Sequence, residues 1–250
     1  INRPFEKKIK YMRSFLISFI AVVQLLIFLT AVAVIGGCKT AKQNRGKYTA
    51  PLPALVDNTI PPDAEQVILV WHNPTDTIFQ GRLMIREIKK GKWIKVFDDN
   101  IKASLGKSGI VASAQKREGD GATPAGFYRL GQLFSYESSI ETRIPFMQVT
   151  REDKWIDDST SPDYNKHVRG ATQATSYENL LLSSIDYKYC MVIEYNTSPV
   201  VKGKGSAIFF HVTSDQYPPT AGCVAVKEQD MLRILSWLDP NKKKYIGIIP

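Results

Sequence analysis

From about Ala64 onward the apolar residues fall in short runs closed off by turn residues. That punctuation confines the chain to a mainly β fold with a few short helices. Gln66–Trp71, with Val67, Ile68, Leu69 and Val70 in succession, reads as a buried strand. Ile78–Glu87 partly alternates, with Leu83 and Ile85 set against Arg82, Met84 and Arg86. Asn73-Pro74 with Asp76 marks the turn between these two, and Lys90-Gly91-Lys92 a second turn before Trp93–Phe97. Further runs lie at 127–130, 144–150, 189–195, 207–212 and 245–249. Two stretches carry helical signals. Thr175-x-x-Glu178 has capping-box spacing and opens onto Leu180, Leu181 and Leu182. Residues 227–238 put Met231, Ile234, Leu235 and Leu238 on one stripe, with Glu228 and Asp230 in the first turn.

The N-terminal part has a different character. Residues 15–35 form an uncharged apolar segment preceded by Arg13, and Met12 is a plausible true start. A basic region followed by an apolar one is the pattern of a secretory signal. The segment ends in Ile35-Gly36-Gly37-Cys38, small residues before a cysteine, which resembles the lipobox of bacterial lipoproteins with Cys38 as the lipidated residue. The run is also long enough to span a bilayer, so an uncleaved anchor is the alternative. The expected organisation is a signal peptide or anchor over 1–38, a tether over 39–63 punctuated by Pro51, Pro53, Pro61 and Pro62, and a globular domain over 64–250. Either reading puts that domain outside the cytoplasm.

Charge supports the division. The net charge of +9 suggests a nucleic-acid binder until it is located. Residues 1–47 hold nine of the 33 Lys/Arg and one of the 24 Asp/Glu, which leaves the remainder at +1. The excess flanks the apolar segment and reads as a membrane-targeting bias, so the expected partner is a membrane and not a nucleic acid.

Cys223 is the candidate for chemistry. It follows Gly222 between two apolar runs, and His211 lies twelve positions upstream in Phe-Phe-His-Val. A thiolate with an imidazole to take its proton makes a nucleophile and base pair, although a lone cysteine can equally be a small buried apolar residue. Two loops stand out as well. Residues 116–126 combine charge with Gly119, Gly121 and Gly126; the stretch lacks the lysine–hydroxyl ending of a P-loop and reads as tight turns. Asp157-Asp158 after Trp155 could suggest a metal, but no ligand set with recognisable spacing accompanies them, and an Asx-turn pair is the preferred reading. His72 reads as a turn residue, His167 as a surface residue, and Cys190 as a strand core residue that could alternatively bond Cys223. No metal site and no cofactor is expected.

Taken in order, GDGATPAG, then WIDD…YN, then GSAIFFHVTSDQYPPTAGCVAV resemble the L,D-transpeptidase (YkuD-type) catalytic domain over roughly residues 65–250. The resemblance is narrower to the branch with KxEGDGxTPxG, W-x-DD…YN and FxHV…PTxGCVAL. It implies an α+β, mainly β sandwich or barrel. It matches Cys223 to the nucleophile, His211 to the general base, and Gly222 with the Cys223 backbone N–H to the oxyanion stabiliser. Thr220, Ala221 and Phe210 are expected beside the substrate. The reaction implied is acyl transfer on peptidoglycan stem peptides, to an amine or to water. Many relatives carry Ser-His-Gly-Cys followed two residues on by Arg or Asn; here Ala221 and Ala225 stand at those positions.

Overall fold

The computed structural model describes residues 59–250. The apolar segment, the lipobox and all but the end of the tether lie outside the described residues. Among those described, no helix is long and apolar enough to cross a membrane.

The described elements follow in the order β1 Gln66–His72, β2 Gln80–Lys89, β3 Lys92–Lys95, β4 Ile101–Ser104, β5 Ile110–Ala112, β6 Thr123–Ser135, β7 Phe146–Gln148, β8 Asp153–Ile156, β9 His167–Arg169, β10 Tyr177–Asn179, β11 Tyr189–Ile193, β12 Phe209–Thr213, β13 Val224–Lys227, α1 Glu228–Trp237 and β14 Lys244–Ile249. Strands pair in the order β1-β14-β6-β11-β12-β13-β4-β2, and β2 pairs back onto β1, so the sheet closes into a barrel. Closure leaves these strands no free edge on which another chain could pair. β3 extends β2, β5 and β7 add to β6, and β10-β8-β9 form a separate three-stranded sheet.

Alternation along the barrel strands sorts the side chains. One apolar cluster holds Ile68, Val70, Leu83, Ile85, Phe210 and Val224, and α1 packs Met231, Ile234 and Leu235 into it. On the other face of β1, Val67 and Leu69 pack with Ile60 and Tyr245, which is why Gln66–His72 is apolar at every interior position. A third cluster lies on the opposite face of β11 and β12 from the first. There Cys190, Val192, Phe209 and Cys223 meet Trp155, Leu180 and Tyr187 from the region of the small sheet.

The helix expected at 227–238 is α1, with Glu228 and Asp230 in its first turn as the macrodipole favours. The helix expected from Thr175 does not form. Tyr177–Asn179 pairs with β8 instead. Both parts of the supposed capping box have other partners: the Thr175 N–H and hydroxyl each donate to Asp158 Oδ2 at 2.8 Å, and the Glu178 carboxylate accepts the Tyr187 hydroxyl. Tertiary hydrogen bonds outcompete the local cap. The glycine-rich stretch is also less of a loop than expected, since Thr123–Gly126 begins β6, with Thr123 to Ala125 paired to β5.

Candidate active site

β12 and β13 run parallel, with Phe210 opposite Val224 and His211 opposite Ala225. The preceding step brings Cys223 beside Phe209, whose N–H donates to Cys223 Sγ at 3.3 Å. Phe210, Val212, Val224 and Val226 therefore belong to one core cluster while Phe209 and Cys223 belong to another. His211 shares the second face by the two-residue period. A lateral strand spacing of roughly 4.8 Å and a two-residue step separate the Cys223 and His211 Cα atoms by about 8 Å, a gap their side chains can bridge.

Both groups are buried, Cys223 at 5% and His211 at 6% exposure. The thiol donates to the Ala207 carbonyl at 3.3 Å. Burial pushes its pKa up, the Glu178 carboxylate adds to that, and the Phe209 N–H and the Lys116 ammonium pull it back. The resting group is thus a thiol, not a thiolate. His211 Nδ1 sits 3.0 Å from Asp186 O and 2.7 Å from Val212 O. Carbonyl oxygens only accept, so Nδ1 carries the hydrogen and Nε2 keeps its lone pair. Burial holds the imidazole pKa below its ordinary value, offset in part by the Val212 carbonyl, the Asp186 carboxylate charge and the Asp186 carbonyl. A neutral base with a fixed tautomer results. The Tyr187 ring stands edge-on to His211 with centroids 5.2 Å apart, and to Phe209 at 5.5 Å.

Three separate sequence motifs meet around the backbone that holds the sulfur. Asn165 Oδ1 accepts the Ala207 N–H at 3.1 Å and Trp155 Nε1 at 2.9 Å, and Asn165 Nδ2 donates to Tyr195 O and Asn196 O. Ala207 has φ of 52°, a costly conformation for an alanine, and this bond is one of its restraints. Glu118 Oε2 accepts the Tyr164 hydroxyl and, at 2.7 Å, the Ser206 hydroxyl, while Tyr164 Oη accepts the Gly205 N–H at 3.0 Å. Lys116, 2% exposed, donates to Asp120 Oδ1 at 2.6 Å and packs against Gly205, where a Cβ would lie 3.2 Å from its Cε and Nζ. The 116–126 stretch is therefore structural support for residues 205–207.

The Cys223 turn is itself constrained. Gly222 has φ of 149°, and a Cβ there would sit 2.9 Å from Ala122 O and 3.1 Å from Ile208 Cδ1. Thr220 Oγ1 donates to Cys223 O at 2.7 Å and accepts the Gly222 N–H at 3.2 Å. Its hydroxyl braces the turn. Ala221 is exposed beside it. Phe210 requires a correction: it is 1% exposed inside the first apolar cluster and is not placed to touch a substrate, because the two-residue period turns it away from His211.

The remaining residues resolve simply. Cys190 and Cys223 are both free thiols. Cys190 lies within β11 opposite His211 and is fully buried. His72 Nδ1 is 3.0 Å from Gln80 O at the end of β1. His167 Nε2 contacts Asp153 Oδ1 at 2.7 Å, a carboxylate that Arg169 also grips at 2.8 Å. Asp158 makes the turn expected of it, accepting from the Thr160 N–H and hydroxyl at 2.9 and 2.7 Å. A cleft of about 470 Å³ opens beside Asp158, Thr160, Val168, Thr172 and Thr175; neither Cys223 nor His211 lines it. Asp186, Tyr187 and Glu178 were not singled out for the site. Asp186 holds the ring through its backbone oxygen, which no side-chain pattern can reveal, and adds the field of its carboxylate; Tyr187 and Glu178 arrive from segments with no spacing relation to Cys223.

A fold with a buried thiol and a neutral imidazole on one face of a barrel wall defines a class that comparison identifies. The family model for YkuD, the L,D-transpeptidase catalytic domain, matches residues 80–246, and the chain belongs to that family. Among solved structures the chain is similar to one titled crystal structure of the helical cell shape determining protein Pgp2 from Campylobacter jejuni, at 20% identity and a TM-score of 0.37. That match covers 74% of this chain and 48% of the other, so the chain spans about half of its length. No curated protein matches the chain.

Proposed function

We propose that this chain is a cysteine-dependent L,D-transpeptidase acting on the tetrapeptide stems of peptidoglycan at the bacterial cell envelope. His211 Nε2 takes the Cys223 proton as the sulfur attacks the carbonyl between the L-configured centre and the terminal D-alanine. The developing oxyanion is held by the Cys223 N–H, joined by the Gly222 N–H as that group exchanges its 3.2 Å bond to Thr220 Oγ1 for the substrate; loss of such a donor costs on the order of 10²–10³ in rate. The carbon–nitrogen bond breaks, the imidazolium returns its proton to the leaving D-alanine amine, and an acyl thioester remains. An amine of a neighbouring stem then attacks; His211 takes its proton and passes it to the departing sulfur, leaving a 3→3 cross-link. Water as acceptor gives a tripeptide and makes the protein an L,D-carboxypeptidase. Atoms and charge balance without a metal or cofactor.

The observation that carries this reading is the His211 ring, fixed as the Nδ1–H tautomer on the barrel face that bears Cys223. The test incubates the protein with purified tetrapeptide muropeptides and follows D-alanine release, 3→3 dimers and tripeptides. Dimers support the transpeptidase and tripeptides alone the carboxypeptidase. A second reading, a wall-binding module without turnover, draws on the 5% exposure of Cys223. It prevails if neither D-alanine nor a Cys223-dependent covalent adduct with a carbapenem is detected by mass spectrometry while muropeptide still binds.

We further propose that Cys38 is lipidated and holds the protein on the outer side of a membrane. Cys38→Ser should move the protein into the soluble fraction; retention in membranes assigns residues 15–35 as a spanning anchor instead.

A further inference from the structure

Register gathers one end of several strands together. Gln66 at the start of β1 pairs with Lys244 and with Glu87, and Lys89 pairs with Lys92. Six lysines collect there: Lys89, Lys90 and Lys92 around the β2–β3 turn, and Lys242, Lys243 and Lys244 leading into β14. Four acids accompany them, and each is already engaged: Asp63 accepts Arg129 at 2.7 Å and the Tyr245 hydroxyl at 2.9 Å. Glu87 accepts Lys242 and lies 3.4 Å from Lys89 Nζ, Glu65 Oε2 accepts the Lys243 backbone N–H at 2.9 Å, and Asp239 Oδ2 lies 3.3 Å from Arg143 Nη1. Among the described residues Lys90, Lys92 and Lys243 have no acidic partner, and all three are exposed. With Arg129 and Arg143, the partners of Asp63 and Asp239, these residues give this end eight bases against four acids and a net charge of +4, whereas everything beyond residue 47 sums to +1. The positive excess of the domain is concentrated here and the rest is slightly acidic.

The chain also joins the barrel at this end, because Gln66 is the first residue of β1. The 28 positions from Cys38 to Gln66 reach at most roughly 100 Å, whatever path they take. The thiol lies elsewhere. Ala225, two residues beyond Cys223, pairs with Ser104, and Ser104 pairs with Gln80, the residue at the other end of β2 from Lys89. Gln80 and Lys89 are about 30 Å apart along the strand.

We propose that the lysine-bearing end of the barrel docks on the anionic phospholipid headgroups of the membrane that holds the N-terminal anchor, leaving the thiol turned toward the wall. The proposal rests on the anchor reading given above. Attraction between lysines and an anionic bilayer acts within a Debye length, about 8–10 Å at moderate salt. Tethering supplies the high local concentration that lets a modest face suffice.

The test reconstitutes the full chain into neutral phosphatidylcholine vesicles and into vesicles containing roughly a third phosphatidylglycerol, a charge density typical of anionic leaflets. Lysines are then labelled with an amine-reactive ester and read by peptide mass spectrometry. Lys89, Lys90, Lys92 and Lys243 should react about threefold or more slowly on the anionic vesicles, with the protection lost at high salt. Lys166 and Lys202, beside Asp163 and Thr160, should react equally on both. Flotation with both vesicle types but unchanged lysine reactivity overturns the docking and leaves the anchor standing. Failure to float with either removes both. Equal protection on neutral vesicles, or protection only after adding a soluble wall polyanion, assigns the face to another contact and overturns the lipid reading.

Discussion

The two faces of β12 and β13 are made from alternate residues of the same strands, yet they are built for opposite purposes. Phe210, Val212, Val224 and Val226 turn one way into a cluster that is aliphatic and aromatic throughout, with tyrosines such as Tyr189 and Tyr195 as its only polar tips. Phe209, His211, Cys223 and Ala225 turn the other way, where nearly every polar atom near the sulfur has a named partner. The first face needs only volume and hydrophobicity, which many residues supply. The second needs one thiol, one imidazole tautomer and one set of backbone oxygens. The apolar core and the proposed chemistry are separated by a single step of the pleat.

The widest test of that separation pairs one substitution from each face. Cys223→Ala should remove D-alanine release by at least about 10⁴, as loss of a nucleophile does elsewhere. It should cost no more than about 1–3 kcal/mol in urea denaturation, the scale of the one buried N–H, that of Phe209, left unpaired. Phe210→Ala should cost about 3–5 kcal/mol in the same denaturation while the folded fraction keeps its turnover. Equal loss of turnover per folded molecule in the two variants would break the comparison.

Gly222→Ala should fail on both counts, since the turn belongs to both faces. Its positive φ and its 2.9 Å approach to Ala122 O predict a loss of about 1–3 kcal/mol, read by thermal melting, together with reduced turnover. Asn165→Ala sharpens the comparison from a distance. It leaves the Trp155 and Ala207 N–H groups without their acceptor, at about 1–3 kcal/mol for such buried groups. Because the Ala207 carbonyl holds the thiol, kcat should fall more than KM rises; a purely structural role would reduce stability without that split.

The smallest expected effect concerns pH. His211 is buried and neutral, with its pKa below the ordinary histidine value near 6.5. Activity should therefore persist into acid until that lowered value is reached, so the acidic limb of kcat/KM lies below pH 6.5. Stability moves with the opposite consequence. Between the two values the unfolded chain binds a proton on this imidazole that the folded protein does not, so stability at this site falls as pH drops through the unfolded value. His211→Gln should flatten that part of the melting profile. An acidic limb above 6.5 would mean that the imidazole is charged at rest.

Much of this was legible from the chain. Strongly patterned strands such as β1, β2 and β11 were readable because their apolar runs are continuous or alternate over five residues or more. Cys223 and His211 stood out as a candidate pair because three motifs in order are far more specific than either residue, and the structure puts them on one face of neighbouring strands. The strands β4, β5, β8, β9, β10 and β13 were not, at three or four residues each: so short a run has no period to detect, and β3 and β7, equally short, were found only because they lie in the longer runs at 93–97 and 144–150. The capping-box signal at Thr175 misled for a related reason: its residues found stronger partners in Asp158 and Tyr187 than each other.

The order of apolar and turn residues by itself determined a mainly β chain with an amphipathic helix near its end, and three ordered motifs marked Cys223 and His211 as the candidate pair. These follow from covalent spacing and local propensity, which are properties of neighbours. Closure of the barrel, the assignment of Phe210 to the interior and His211 to the site, and the Nδ1–H tautomer fixed by the Asp186 and Val212 oxygens were decided only in three dimensions. Each depends on partners that folding brings together, most of them distant along the chain, and side-chain pattern holds no record of which backbone oxygen will face a ring.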